Sequence, residues 1–479
     1  MIKFGRFVVK FRIPILILAI LLLIPSVIGM RETRINYDML SYLPDDLKTI
    51  KGQDILLNEF GKGAFSFIIV ENMSDNDVSE LKSKIAEVDH VDSVIWYDTI
   101  ADLSVPAEVL PDEIYNAFNN DEENATLMAV FFDTDSSSDE AIQAIEDIRG
   151  ITNKQCYISG ISALVVDLKN LCEREEPIYV AIAVTCALVA MMIFCDSWLT
   201  PLVFLACIGI TILYNLGTNY FLGEISYITK ALAAVLQLAV TMDYSIFLWH
   251  SYEEQKTLFE DKKEAMAHAV KETFVSVAGS SMTTIAGFIA LCFMSYTMGA
   301  DLGIVMAKGV LLGVIGSVTI LPALVLIMDK PLEATRHKPL IRDMKKPAKW
   351  ITKHYVVILI AFVIILVPSF YGYMNKPIYY DFTKILNAGS DSGFSEDDVR
   401  SLVANSKLKD YFDVSTTHMV LCDADMSAKD ATDMLGEFEN VEGVTYALGL
   451  NSAVGSMVPQ DIIPDELTET LKSEIGNLY

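Results

Sequence analysis

One carboxylate stands where lipid would be expected. Asp243 lies inside Ala239-Val240-Thr241-Met242-Asp243-Tyr244-Ser245-Ile246-Phe247-Leu248, an otherwise apolar run. A charge at the centre of a membrane helix costs roughly 2.5–3.5 kcal/mol on insertion scales, so such residues face protein or water and usually carry function. Apolar surroundings favour the neutral acid, which lets a carboxyl exchange a proton near neutral pH. The next residue, Tyr244, has a hydroxyl that can donate to a carboxylate or pass a proton on. The chemistry to expect is proton relay. The competing reading is a structural carboxylate held by hydrogen bonds from a neighbouring helix.

Other polar residues surround this pair in sequence. Gln237 and Thr241 stand one helical turn apart and extend the polar track. Ser276, Ser280, Thr283, Thr284 and Gly287 recur at helical spacing in the next apolar segment, with Ser281 beside them. They read either as a small-residue packing stripe or as hydroxyls delivered to the carboxylate. Lys308 is the only cation deep in an apolar run. By residue count it lies in the opposite half of the bilayer from Asp243. An ion pair therefore needs offset helices, and otherwise the lysine snorkels towards an aqueous cleft. His250 falls at a membrane edge.

Nothing suggests an enzyme. There is no Gly-x4-Gly-Lys-Ser/Thr loop, so nucleotide hydrolysis is not indicated. The seven cysteines (156, 172, 186, 195, 207, 292 and 422) are scattered and contain no Cys-x-x-Cys pair. The reading is no disulfide framework, no metal site and no cofactor. Work must then come from an ion gradient, where one charge crossing the field is worth about 2.3 kcal/mol per 100 mV.

These residues need helices to hold them. Seven apolar segments have the length a bilayer requires, about 20 residues. They are Ile13–Met30, Ile178–Cys195, Leu199–Leu222, Ile225–His250, Thr273–Met298, Leu302–Met328 and Tyr355–Met374. Four Lys/Arg and no acid precede the first, and Asp329–Lys353 carries eight Lys/Arg against three acids. The positive-inside rule puts both stretches in the cytoplasm of a cell-membrane protein. Ser251–Lys271 falls on the same side, and its pattern suggests a short amphipathic helix along the inner surface.

Charge divides the chain in the same way. Hydrophobic residues make up 52%, yet the formal net charge is -27. Arg31–Glu176 holds 31 acidic and 11 basic residues, and Asn375–Tyr479 holds 19 and 7. Acidic parts of this size argue against nucleic acid as a partner. The expected organisation is residues 1–30 as a cytoplasmic N-terminus and first span, and 31–176 as an extracytoplasmic domain. Residues 177–328 form a five-span bundle and 329–354 a basic linker. A seventh span occupies 355–374 and a partial second outer domain 375–479. Within the first outer domain, Gly63–Glu71, Val91–Tyr97, Ala125–Asp133 and Gln155–Ser159 read as strands. Ser74–Val88 and Ser136–Gly150 read as helices. Strand-helix-strand twice over suggests an α+β, split βαβ, ferredoxin-like fold.

The chain also repeats itself. Val105-Pro106-Ala107-Glu108-Val109-Leu110-Pro111-Asp112-Glu113-Ile114 recurs as Val458-Pro459-Gln460-Asp461-Ile462-Ile463-Pro464-Asp465-Glu466-Leu467. Pro25-Ser26, Gly29 and Tyr37-Asp38 recur as Pro368-Ser369, Gly372 and Tyr380-Asp381. A duplicated unit of span plus acidic domain is a transporter signature. The repeat predicts that the second copy is incomplete here, with an insertion near Gly389 to Asp398, and that its outer domain is poorly held.

On these residues the chain resembles the resistance-nodulation-division (RND) superfamily, specifically its MMPL branch. The most specific pieces are Asp243-Tyr244, Ala278-Gly279-Ser280-Ser281-Met282-Thr283-Thr284-Ile285-Ala286-Gly287-Phe288, and Leu321-Pro322-Ala323-Leu324. The resemblance implies an incomplete RND transporter fold with porter domains outside. It implies a proton-motive-force-driven exporter of lipids, drugs or other amphipathic molecules. It maps the proton relay onto Asp243 and Tyr244, and the partner pair would fall beyond Tyr479. Implied partners are membrane lipids, an amphipathic small molecule, protons, and a second copy or a missing C-terminal half. The alternatives are a non-transporting lipid-binding sensor or assembly protein, and a protein-export accessory of the same superfamily.

Overall fold

The computed structural model of the protein describes residues 2–99, 112–136, 138–337, 345–376, 400–414, 417–422, 426–445 and 447. The second copy of the repeated decapeptide and the Gly389–Asp398 insertion lie outside these residues. Seven described helices are long and apolar enough to cross a membrane. Spans one to seven are Arg12–Glu32, Ile161–Ile193, Thr200–Leu222, Tyr227–Leu258, Lys262–Leu291, Met298–Ile327 and Tyr355–Met374. This is a multi-pass helical membrane protein.

The chain divides into two compact units, Met1–Tyr42 with Glu173–Tyr380, and Leu43–Cys172 with Asp381–Tyr479. In the first, span six is the hub. Buried residues make up 61% of its most apolar stretch, against 11% for spans one, two and five. Lipid is as apolar as leucine, so close contact between membrane helices relies on small residues. Span six supplies Gly309, Gly313 and Gly316 to spans three and four. At Gly29 and Gly217 spans one and three touch backbone to backbone. A Cβ at Gly29 would lie 2.3 Å from the Gly217 carbonyl oxygen. Span seven has no buried residue among its 20.

A short clasp ties one end of this bundle. β1 (Arg34–Asn36) runs parallel to β7 (Glu224–Ser226), pairing Ile35 with Ile225. The Tyr42 carbonyl accepts from Thr297 N at 3.0 Å, and Tyr37 stacks on Tyr227 at 5.7 Å. Three-residue strands are too short to leave a period in the sequence, so the pattern did not announce them.

At the other end the structure corrects one expectation. Ser251–Lys271 is not a loop bearing a separate amphipathic helix. Span four continues to Leu258 and span five starts at Lys262. Asp261 caps span five by accepting from Lys263 N at 3.0 Å. Ala265, Ala267 and Ala269, all buried, carry the helix on without a breaker. A strongly amphipathic element is found instead at Ile2–Lys10, with Val8 and Val9 buried. It lies so close to span five that a Cβ at Gly5 would sit 2.3 Å from the Ala267 carbonyl oxygen.

The second unit is built on an antiparallel sheet. Its strands are β2 (Phe65–Glu71), β3 (Val91–Ile95), β5 (Ala125–Phe132) and β6 (Cys156–Ser159), with β4 (Asn119–Asn120) on β5. Their order is β3-β5-β2-β6. Helices Asp75–Ala86 and Asp139–Ile151 are N-capped by Ser74 and Ser138. Ile68, Trp96, Met128, Phe132 and Ile145 form its sealed core.

One described helix of the second repeat domain is anchored, against the expectation that this domain is poorly held. Helix Arg400–Phe412 packs Leu408 and Phe412 onto Ile69, Ala125 and Leu127 of the first copy's sheet. Asn405 Oδ1 accepts from Ser159 Oγ at 2.5 Å, and Asp167 Oδ2 accepts from Ser401 N at 2.7 Å. Lys407 Nζ donates to Glu71 at 2.5 Å. The helix needs no closed sheet of its own, because it borrows one.

Candidate functional site

Span four positions the carboxylate, and its start is pinned. Ser226 caps it by accepting from Ile228 N at 3.1 Å. Asp301 Oδ2, at the head of span six, accepts from Ser226 N at 2.8 Å and from Thr229 Oγ1 at 2.6 Å. These bonds fix the helix's rotation. One edge is then buried: Gln237, Thr241, Tyr244, Ser245 and Leu248. The opposite edge is open: Leu232, Ala239, Asp243, Phe247 and His250. Asp243 is therefore exposed on an apolar stripe. Among the described residues, no hydrogen bond or ion pair reaches its side chain.

Tyr244, its neighbour, turns inward. The ring packs with Val277 of span five and with Val310 and Val314 of span six. The two residues expected to form a relay thus divide between an open face and a packed seam.

Two of the expected auxiliary residues join a buried polar column. Gln237 Oε1 accepts from Asn215 Nδ2 of span three at 3.0 Å. Thr241 lies against Gly313, where a Cβ would approach its Oγ1 to 2.4 Å. Lys308 joins the column but does not pair with Asp243. Its ammonium donates to Asn219 Oδ1 at 2.5 Å. Asn215 and Asn219 went unread in the sequence. Their four-residue spacing at the end of an apolar run was the available signal.

The span-five hydroxyls do not reach Asp243 either. Ser281 Oγ donates to the Ala278 carbonyl at 3.2 Å, and Thr283 and Thr284 both donate to the Ser280 carbonyl. Such back-bonds satisfy hydroxyls within one helix. Ser281 is buried, Thr284 half-buried, and Ser276, Ser280, Thr283 and Gly287 are exposed. A Cβ at Gly279 or Gly287 would meet nothing within 4 Å. This small, polar face is open, as is the Asp243 stripe on span four.

Charge gathers away from the carboxylate. At the ends of spans four to six, Arg336 donates to Asp196 at 3.0 Å and to Glu253 at 2.6 Å. Lys262 donates to Asp329 at 2.6 Å and to Glu333 at 2.7 Å. The Lys262 ammonium holds the Glu333 carboxyl below its usual range. Among the described residues, no group of three or more His, Cys, Asp or Glu is arranged to hold a metal ion.

Comparison with known proteins gives this geometry a context. A sequence profile of the MMPL family matches residues 68–365. A membrane protein of Methanocaldococcus jannaschii, MJ1562, is 22% identical over 372 residues, covering 69% of this chain and 94% of that one. The siderophore exporter MmpL5 of Mycobacterium tuberculosis is 25% identical over 205 residues, covering 41% and 21%. A Mycobacterium tuberculosis protein named probable transport protein MmpL12 is 24% identical over 289 residues, covering 58% and 24%. The matched region thus spans nearly all of the archaeal relative and about a quarter or less of the two mycobacterial ones.

Proposed function

The chain belongs to the MMPL family, and we propose that it forms the proton-coupling part of an exporter of lipid-like or other amphipathic molecules. The observation that carries this reading is Asp243, exposed on the middle of span four beside a buried Tyr244. A carboxylate facing lipid is costly, so its stripe must meet protein or water. We take the occupant to be a second set of spans, of which Tyr355–Met374 is the first. Its surface is unburied throughout, as expected of a helix awaiting neighbours. The hydroxyl face of span five is open as well. Transport follows if Asp243 gains a proton from one side and releases it to the other as the two halves rock.

The outer domain is read as porter-like. The order β3-β5-β2-β6, all antiparallel, with a helix between β2 and β3 and another between β5 and β6, supports reading it as a ferredoxin-like split βαβ. The basic N-terminus and linker favour reading their end of the bundle as cytoplasmic and both acidic domains as lying outside a cell membrane. The names of the mycobacterial relatives, an exporter and a transport protein, favour export over a sensor role.

The test is Asp243→Asn in the full-length protein. The reading predicts loss of export of a fluorescent amphiphile from cells, with membrane levels unchanged. Normal export by that variant removes the proton-relay claim.

A further inference from the structure

Charge and rings are sorted by edge on the N-terminal helix. Ile2–Lys10 turns by about 100° per residue, which gives it three edges. Gly5, Val8 and Val9 form the packed edge, and all are buried. A Cβ at Gly5 would lie 2.3 Å from the Ala267 carbonyl oxygen of span five, a contact that fixes the roll of the helix. Lys3, Arg6 and Lys10 form the second edge, and all are exposed. Phe4, Phe7 and Phe11 form the third, at 37%, 54% and 38% exposed. Arg6 Nε donates to Glu264 Oε1 at 2.9 Å. Among the described residues, no carboxylate pairs with Lys3 or Lys10. A helix with rings along one edge and cations along the next suits the boundary between acyl chains and headgroups.

The arrangement occurs twice. Helix Lys345–Lys353 leads into span seven as Ile2–Lys10 leads into span one. At the offset that carries Pro25 to Pro368, Lys346, Lys349 and Lys353 take the places of Lys3, Arg6 and Lys10, and Trp350 that of Phe7. Trp350 is 59% exposed, and Lys349 and Lys353 are exposed as well. The packed edge is not kept, since Ala348, Ile351 and Thr352 replace Gly5, Val8 and Val9. Orienting a span needs only Lys or Arg somewhere near its end. A cationic edge held in register through the repeat points to a partner met along that edge.

We propose that these two helices are docking sites for anionic phospholipid. The cationic edge takes the headgroup phosphates, and the aromatic edge enters the acyl boundary beside them. A lipid fits better than an acidic protein, because only the membrane surface offers anions and apolar chains side by side along the same helix. Each Lys or Arg close to an anionic leaflet contributes about a fivefold preference. Lys3 and Lys10 together then favour an anionic over a zwitterionic lipid by about twenty-five-fold. The proposal goes beyond the proton-coupling reading and needs nothing from it.

The test puts the photoreactive p-benzoylphenylalanine in place of Phe7 in the full-length protein, held in nanodiscs of equal parts phosphatidylglycerol and phosphatidylcholine. Mass spectrometry then reads which lipid is captured. The proposal predicts capture of phosphatidylglycerol over phosphatidylcholine by at least about fivefold. Adding Lys3→Gln with Lys10→Gln should bring the two lipids close to parity, and Lys3→Arg with Lys10→Arg should keep the preference. Arg6 is left alone so that its bond to Glu264 survives. If the Gln variant does not fold, salt decides the matter without any charge substitution. At about 1 M the screening length shrinks to about 3 Å, and the preference should collapse. The same probe in place of Trp350 reads the second site. Equal capture of both lipids at low salt overturns the proposal, and so does a preference that survives both charge removal and salt. Capture of protein alone, with no lipid, places the rings away from the acyl boundary and overturns it too.

Discussion

Asp243 and Thr241 are two residues apart, and helical geometry alone gives them opposite fates. At 100° per residue they point to opposite sides of span four, one open and one against Gly313. The chemical type of each residue was legible in the sequence, and so was the turn-to-turn link between Gln237 and Thr241. The rotation of the helix was not, because it is set by the remote bonds from Asp301 to Ser226 and Thr229. Asn215 and Asn219 were missed because they sit at a span's end, where polar residues are ordinary. The contact at Gly313 makes a sharp prediction. Gly313→Ala drives a methyl into the Thr241 hydroxyl and should lower stability by about 1–3 kcal/mol. Adding Thr241→Ala removes the obstructing atom, so the double variant should recover most of the melting temperature. Simple additivity of the two losses would show that the contact does not govern packing there.

Among the elements, long apolar helices were read well and short ones poorly. All seven spans were anticipated by hydrophobic length, because twenty apolar residues leave few alternatives. The join between spans four and five was misread, because an amphipathic stretch looks the same whether it lies on a surface or prolongs a span. Helix Arg400–Phe412 was underrated, because its docking site belongs to a strand more than two hundred residues earlier in the chain. Lys407 is the handle on that docking. Burial works against its charge, yet the bond to Glu71 keeps the ammonium's pKa raised. Lys407→Met should speed hydrogen exchange across Arg400–Phe412 while β2 and β5 stay protected. Unchanged exchange would mean that Leu408 and Phe412 suffice. The Lys262–Glu333 pair carries a pH signature. The folded carboxyl titrates below its ordinary 4.5, so the pair contributes stability above that pH. That stability is lost as the pH falls through the lowered value. Both side chains are nearly half exposed, so Glu333→Gln should cost less than about 1 kcal/mol near neutrality. A larger drop in melting temperature would mark the pair as part of a tighter clamp.

At the scale of the whole molecule, the repeat was the most legible feature and the open face the least. Duplicated residues raised the expectation of two matching halves, but only the structure reveals that Asp243, Ser280 and Gly287 share exposure while Gln237 and Ser281 do not. A bundle that leaves a carboxylate uncovered in its membrane-spanning part has a further surface to meet. The account rests on that carboxylate taking up and releasing protons there. The most direct measurement is proton entry into proteoliposomes carrying the full-length protein, wild type against Asp243→Asn, under an imposed pH gradient. The account predicts entry with the wild type and none above the protein-free background with the variant. Equal entry in both would contradict it.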